Sequence, residues 1–88
     1  MYTLLFTATA DKDVLAWKKS GQKIIMNKIS RLLADIVEHP TTGIGKPEAL
    51  KFDLSGKYSR RISNEHRIVY EINEADNVVI VHSLMGHY

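Results

Sequence analysis

The 88-residue chain contains no cysteine, which removes disulfide staples, thiolate nucleophiles and cysteine-ligated zinc together. That composition suits a reducing cytosol, and a cytoplasmic protein is expected. Long hydrophobic runs are missing too. No window approaches the roughly 20 apolar residues that span a bilayer, and no charged-then-apolar leader opens the sequence. A membrane partner is therefore not expected. Charge of one sign is scarce: 12 Lys+Arg against 10 Asp+Glu leave a net +2, too small a bulk excess to argue for a nucleic-acid partner. Repeats, linkers and low-complexity segments are absent. What remains, 44% apolar and 25% charged residues, is ordinary for a soluble globular chain. The length predicts one domain over residues 1–88. A domain of this size buries only about 60–65% of the surface its unfolded chain exposes, so one modest core must hold it.

The charge that is present is unevenly placed. Residues 46–67 hold six cations (Lys46, Lys51, Lys57, Arg60, Arg61, Arg67) and three anions (Glu48, Asp53, Glu65), giving this stretch +3 and the other 66 residues −1. A solvated charged face explains such a segment as well as an anion-binding one does, so its fold decides.

Residues 1–7 are β-branched, aromatic and short, and predict a first strand. Thr9 is expected to cap a helix whose first turn carries Asp11 and Asp13, where carboxylates favour the positive end of the helix dipole. Val14, Leu15 and Trp17 belong to that helix, which stops at Lys18-Lys19 before Ser20-Gly21. Ile25, Ile29, Leu32, Leu33 and Ile36 recur at three- to four-residue spacing and predict a second, amphipathic helix over 22–38. His39-Pro40 ends it, because the residue before proline is pushed out of the α region. A glycine- and proline-rich loop covers 41–47, after which the period changes to two. Strands are predicted at 49–54, 57–63, 67–73 and 78–84, with Ser55-Gly56, Asn64-Glu65 and residues 74–77 between them. Short links force antiparallel neighbours. The predicted class is α+β in the order β-α-α-β-β-β-β, an antiparallel sheet with two helices on one face.

Alternation assigns the faces. Ile68, Tyr70 and Ile72 form a row that helices can cover, and Arg67, Val69 and Glu71 point away. Tyr58, Arg60 and Ile62 oppose Ser59, Arg61 and Ser63. Arg60 and Arg61 thus face opposite ways, one bracing the helix layer and the other facing outward. His82 is expected in the core beside Val78, Ile80 and Leu84, and Trp17 packs with Val14. His66 reads as a hydrogen-bonded strand histidine more readily than as a catalytic accessory.

No metal and no cofactor are expected. The four histidines (His39, His66, His82, His87) include no i, i+4 pair, and Gly43-Ile44-Gly45-Lys46 is not followed by the helix a phosphate-binding loop requires. The chemistry these side chains could support without a metal is acid–base cleavage of RNA. It needs a base for the attacking 2′-hydroxyl, cations for the charge growing on phosphate oxygens, and an acid for the departing 5′-oxygen. Glu48, then Arg67, Arg61 and Lys51, then His87-Tyr88 are candidates of each type; periodicity does not show that they converge.

Those residues also carry a resemblance. Gly45-Lys46-Pro47-Glu48-Ala49-Leu50-Lys51 is followed by Leu54-Ser55-Gly56-Lys57-Tyr58-Ser59-Arg60-Arg61-Ile62, by Glu65-His66-Arg67-Ile68-Val69-Tyr70 and by a final His87-Tyr88. As a set they look like the YoeB toxins, of the RelE superfamily of ribosome-dependent mRNA interferases. The likeness runs from the second helix to the last residue and is fainter before it. It implies that Glu48 is the general base, Arg67 the transition-state arginine and His87 the general acid, with Tyr88 positioning the substrate nucleotide. It assigns Lys46, Lys51, Arg60 and Arg61 to RNA and ribosome contact. It further implies a cognate antitoxin that masks the site, a homodimer, and mRNA cut in the ribosomal A site. Leu84-Met85-Gly86 depart from the arginine and aromatic this pattern carries before its final pair, and Phe6-Thr7 replace a Trp-Ser pattern. Two other classes fit the scaffold: a ParE-like inhibitor of DNA gyrase, which needs no acid–base set, and a catalytically silent RNA- or antitoxin-binding module, which the basic segment alone would support.

Overall fold

Thr7, not Thr9, starts the first helix. In the computed structural model, which describes residues 1–86, the Thr7 Oγ1 accepts from Ala10 N at 3.1 Å and donates to the carbonyl of His82 at 3.0 Å. One hydroxyl therefore both caps the helix and ties it to a strand. Thr9 lies two residues too late, already inside the helix, to meet those orphan donors. Strand β1 (Thr3–Phe6) precedes this cap, and helix α1 (Ala8–Ser20) follows it. Lys18 and Lys19 occupy its last turn, and Gly21 closes it in the left-handed conformation at φ 70°. Helix α2 (Lys23–Glu38) then runs to His39-Pro40 as expected, with Gln22 making no side-chain cap bond.

Strands β2 (Glu48–Ala49), β3 (Lys57–Arg61), β4 (Arg67–Asn73) and β5 (Val78–Ser83) form an antiparallel meander in the sheet order β1-β5-β4-β3-β2. The sheet is mixed, because β1 pairs in parallel with β5, Thr3 opposite Val78 through Phe6 opposite Val81. The α1–α2 connection carries the chain away from β1 before the meander begins, so no short turn constrains β1 to run antiparallel.

Four predicted strands are shorter than the pattern suggested, and in two of them local hydrogen bonds show why. The strand expected over 49–54 stops at Ala49, because Phe52–Leu54 forms a 3₁₀ turn that Phe52 enters at φ 59°. Leu54 N donates to the Lys51 carbonyl and Ser55 N to that of Phe52, at 3.2 and 3.0 Å, using the groups a strand would have paired. The strand expected over 57–63 ends at Arg61, where Ile62 N and Ser63 N turn onto the carbonyl of His66 at 2.9 and 3.1 Å.

Both helices cover one sheet face. Ala10 and Trp17 from α1 and Ile29, Leu32 and Ile36 from α2 meet Ile68, Tyr70, Val79, Val81 and Leu84. The apolar row read on β4 is therefore the sheet's contribution to the core. His82 is not part of it: with Val78 and Ile80 it lies half-buried on the helix-free face, where its Nε2 sits 2.9 Å from Glu71 Oε1. Parity explains this correction, since Val79 and Val81 take the core side and alternation sends His82 to the other.

Candidate active site on the helix-free sheet face

Register on β3 gathers the candidate residues. Glu48 is the cross-strand partner of Ser59, Val69 lies opposite Ser59 on the other side, and Arg61 faces Arg67. Since cross-strand partners share a face, Glu48, Ser59, Arg61, Arg67 and Val69 all stand on the side away from the helices. Ser59 is fully buried there and its Oγ accepts from Arg67 Nη1 at 3.3 Å. A carboxylate-bearing edge strand and an arginine from two strands away thus meet at one serine. Lys57 lies further along the same face, opposite Glu71.

The approach to Glu48 is shaped by the loop after α2. Arg61 N donates to the Gly45 carbonyl at 2.7 Å, fastening that loop to β3. Gly45, at φ 80°, is required there: an added Cβ would meet Leu32 Cδ2 at 2.5 Å. Lys46 and Glu48 follow immediately and are exposed. Beyond them lies an open cavity of about 600 Å³ lined by Glu48, Ala49, Leu50, Lys51, Phe52 and Leu54. Lys51 therefore shares a concave surface with Glu48, and Phe52 stands out of it 91% exposed.

Arg60 must be removed from the RNA-facing set. Its side chain is completely buried on the helix side. Nε donates to Tyr70 Oη at 3.0 Å, Nη1 to Asp35 Oδ2 and to the Ile44 carbonyl at 3.1 Å, and Nη2 to the carbonyls of His39 and Thr42. Tyr70 Oη in turn donates to the Pro40 carbonyl at 2.6 Å. Every donor of the guanidinium is taken, so none is left for phosphate. Arg60 instead braces residues 39–44, the loop that delivers Lys46 and Glu48. The bond from Arg60 holds the Asp35 carboxyl below the usual carboxylate range, with the Ile44 N–H adding to it. Burial pushes the Tyr70 phenol up, against the opposing pull of Arg60. Alternation had separated the two adjacent arginines; burial shows that Arg60 is the brace and Arg61, half-buried on the other face, is the outward one.

His66 is neither free nor in a strand. It closes the turn after β3, its ring stands edge-on to Trp17 with centroids 4.9 Å apart, and its Nδ1 accepts from Gly86 N at 2.9 Å. His87 and Tyr88 lie outside the described residues. Among the described residues, no three His, Asp or Glu side chains are grouped as metal ligands would be, and no helix is long and apolar enough to cross a membrane. Sequence reasoning missed Ser59 and Phe52. Ser59 was readable as the polar residue between Tyr58 and Arg60, but nothing in the sequence marks it as the place where Arg67 is received.

Two helices on one face of a five-stranded mixed sheet, with a carboxylate and arginines on the other, define a small RelE-like α+β toxin fold. Residues 6–88 match the family described as YoeB-like toxin of bacterial type II toxin-antitoxin system. The chain is 46% identical over 78 residues to toxin YoeB of Streptomyces coelicolor, a match covering 89% of this chain and 90% of that one. It superposes on the YoeB-YefM complex from Staphylococcus aureus with a TM-score of 0.82 at 37% identity, covering 100% of this chain and 99% of that one. For the YoeB dimer from the same organism the TM-score is 0.83 at 39% identity, covering 99% and 98%. The chain belongs to the YoeB-like toxin family of type II toxin–antitoxin systems.

Proposed function

We propose that this toxin is a metal-independent endoribonuclease that cuts mRNA in the A site of the ribosome and is silenced by a cognate antitoxin. The observation that carries this reading is the meeting of Glu48 and Arg67 at Ser59 on a cationic sheet face. Glu48 takes the proton of the 2′-hydroxyl as its oxygen bonds to the adjacent phosphorus. Arg67, supported by Lys51 and Arg61, bears the charge gathering on the non-bridging oxygens. The bond from phosphorus to the 5′-oxygen then breaks and His87 returns a proton to that oxygen, leaving a cyclic 2′,3′-phosphate and a 5′-hydroxyl. Tyr88 stacks on the base, which single-stranded RNA permits because its bases are unpaired. Lys46 joins the backbone contacts. The antitoxin and dimer partnerships follow from the Staphylococcus aureus relatives, a YoeB-YefM complex and a YoeB dimer. Translating ribosomes as the target place the protein in the cytoplasm.

The test is cleavage of programmed ribosomes scored by primer extension, with Glu48→Gln and His87→Ala beside the parent chain. A-site cuts by the parent, reduced by about a hundredfold or more in each variant, are expected. A folded, antitoxin-free parent that cuts nothing would overturn the reading and leave a binding module, with gyrase supercoiling as the next assay.

A further inference from the structure

We propose that His66 is a positioning residue, anchoring the segment that leads into His87 so that the acid arrives at a fixed place. The meaning given to His87 rests on the function proposed above; the anchor itself does not.

Three elements hold residues 84–86. Leu84 is fully buried; its N–H donates to Asp13 Oδ2 of α1 at 2.9 Å, and its carbonyl accepts from Trp17 Nε1 at 2.8 Å. Gly86 is held on both sides as well. Its N–H donates to His66 Nδ1 at 2.9 Å and its carbonyl accepts from Arg67 N at 3.1 Å. An accepting Nδ1 defines the neutral imidazole with its proton on Nε2. The edge-on contact with Trp17 fixes the plane of that ring, and Trp17 is only 4% exposed. The acceptor is therefore set by core packing rather than by a mobile side chain.

Gly86 adopts φ 74°, a conformation in which a Cβ strains the backbone although it would meet no neighbour. Its backbone turn is fastened to two consecutive residues, His66 and Arg67. One of them, Arg67, is also the proposed transition-state cation, so Gly86, the residue that precedes His87, is tied directly to the strand bearing the arginine. Such fixation matters because a catalytic group displaced by about 1 Å can cost a hundredfold in rate.

The test uses the full chain in three variants. His66→Phe keeps a ring for Trp17 and removes the acceptor, and His66→Asn returns an acceptor oxygen near the Nδ1 position. Gly86→Ala strains the turn without touching the core, so the question stays answerable if the histidine variants fold poorly. Amide hydrogen exchange at Gly86, followed by NMR on free toxin, reads the anchor; turnover on programmed ribosomes reads its consequence. We expect Gly86 exchange to quicken by about tenfold in His66→Phe, Val81 exchange to stay unchanged, and protection to return in His66→Asn. Turnover should fall by about ten- to a hundredfold in His66→Phe and Gly86→Ala with KM little changed, and recover in His66→Asn. Equal Gly86 exchange in parent and His66→Phe would overturn the anchor whatever the cleavage result. Lost protection with undiminished cleavage would overturn the positioning role. A parent that protects Gly86 yet cuts nothing would overturn the proposed function, and the positioning role with it, while leaving the anchor standing.

Discussion

Arg60 is the side chain on which the site's geometry most depends, although it faces away from the site. Its guanidinium is fully buried and meets one carboxylate, one phenol and three backbone carbonyls. Removing it strands those acceptors, and at about 1–3 kcal/mol for each buried acceptor left unmade the loss comes to about 3–5 kcal/mol. Arg60→Ala should therefore lower unfolding stability by about that much in urea titrations, and Arg60→Lys should recover little of it, because a single ammonium does not reproduce the planar fork. Gly43 beside it admits no side chain: at φ 113° an added Cβ would fall 2.0 Å from Asp35 Oδ2. Phe52 is strained in the opposite sense. Its φ of 59° is a left-handed conformation, costing about 1–2 kcal/mol for a residue with a Cβ, and a ring 91% exposed gains almost no packing in return. Asparagine accepts that conformation more readily, so Phe52→Asn should raise the denaturation midpoint, by about 0.5–1 kcal/mol in stability. An unchanged or lowered midpoint would contradict this account of the turn.

At the scale of elements, the start of α1 separates the observed cap from the one the sequence suggested. Thr7→Ala removes both the bond from Ala10 N and the one to the His82 carbonyl, and should cost about 1–2 kcal/mol. Thr9→Ala, on an exposed helical position, should lie within about 0.5 kcal/mol of the parent; thermal melts of the two variants decide between the caps. Two threonines two residues apart look alike in the sequence, and what distinguishes them is the parallel pairing of β1 with β5, a contact between distant parts of the chain. The strongly periodic elements were legible for the converse reason. Ile29, Leu32 and Ile36 announce α2 without outside help, and Ile68 and Tyr70 announce the buried side of β4. The 49–54 stretch misled because Leu50, Phe52 and Leu54 alternate like a strand, while Asp53, Ser55 and Gly56 supply turn chemistry that prevails. On the site, alternation turned Arg67 away from the helix-covered row and separated Arg60 from Arg61, but which of that pair faces outward is decided by the burial of Arg60. Nor did it reveal that Glu48 meets Arg67 at Ser59, since pairing partners on an edge strand are set by the loop before it.

For the whole molecule, the Arg60 cluster links fold stability to pH at both ends of the scale. Asp35 has its carboxyl lowered by the bond from Arg60. A lowered carboxyl contributes stability above the unfolded value, about pH 3.9, and that contribution fades as pH falls through the folded value. Tyr70 has its phenol raised, by burial first. A raised phenol contributes fully below the unfolded value of about pH 10 and loses that contribution as pH climbs through the folded one. Stability should therefore be flat through neutrality, declining below about pH 4 and above about pH 10. Urea midpoints measured from pH 3 to pH 11 check the shape, and two variants check its origin. Asp35→Asn should be less stable than the parent at pH 7, because Arg60 loses its counter-charge, yet less sensitive to acid, because the titrating group is gone. Tyr70→Phe should flatten the alkaline limb alone. If Asp35→Asn kept the parent's full acid sensitivity, the acid limb would belong to other carboxylates. The cluster would then brace the 39–44 loop by geometry without coupling that brace to pH.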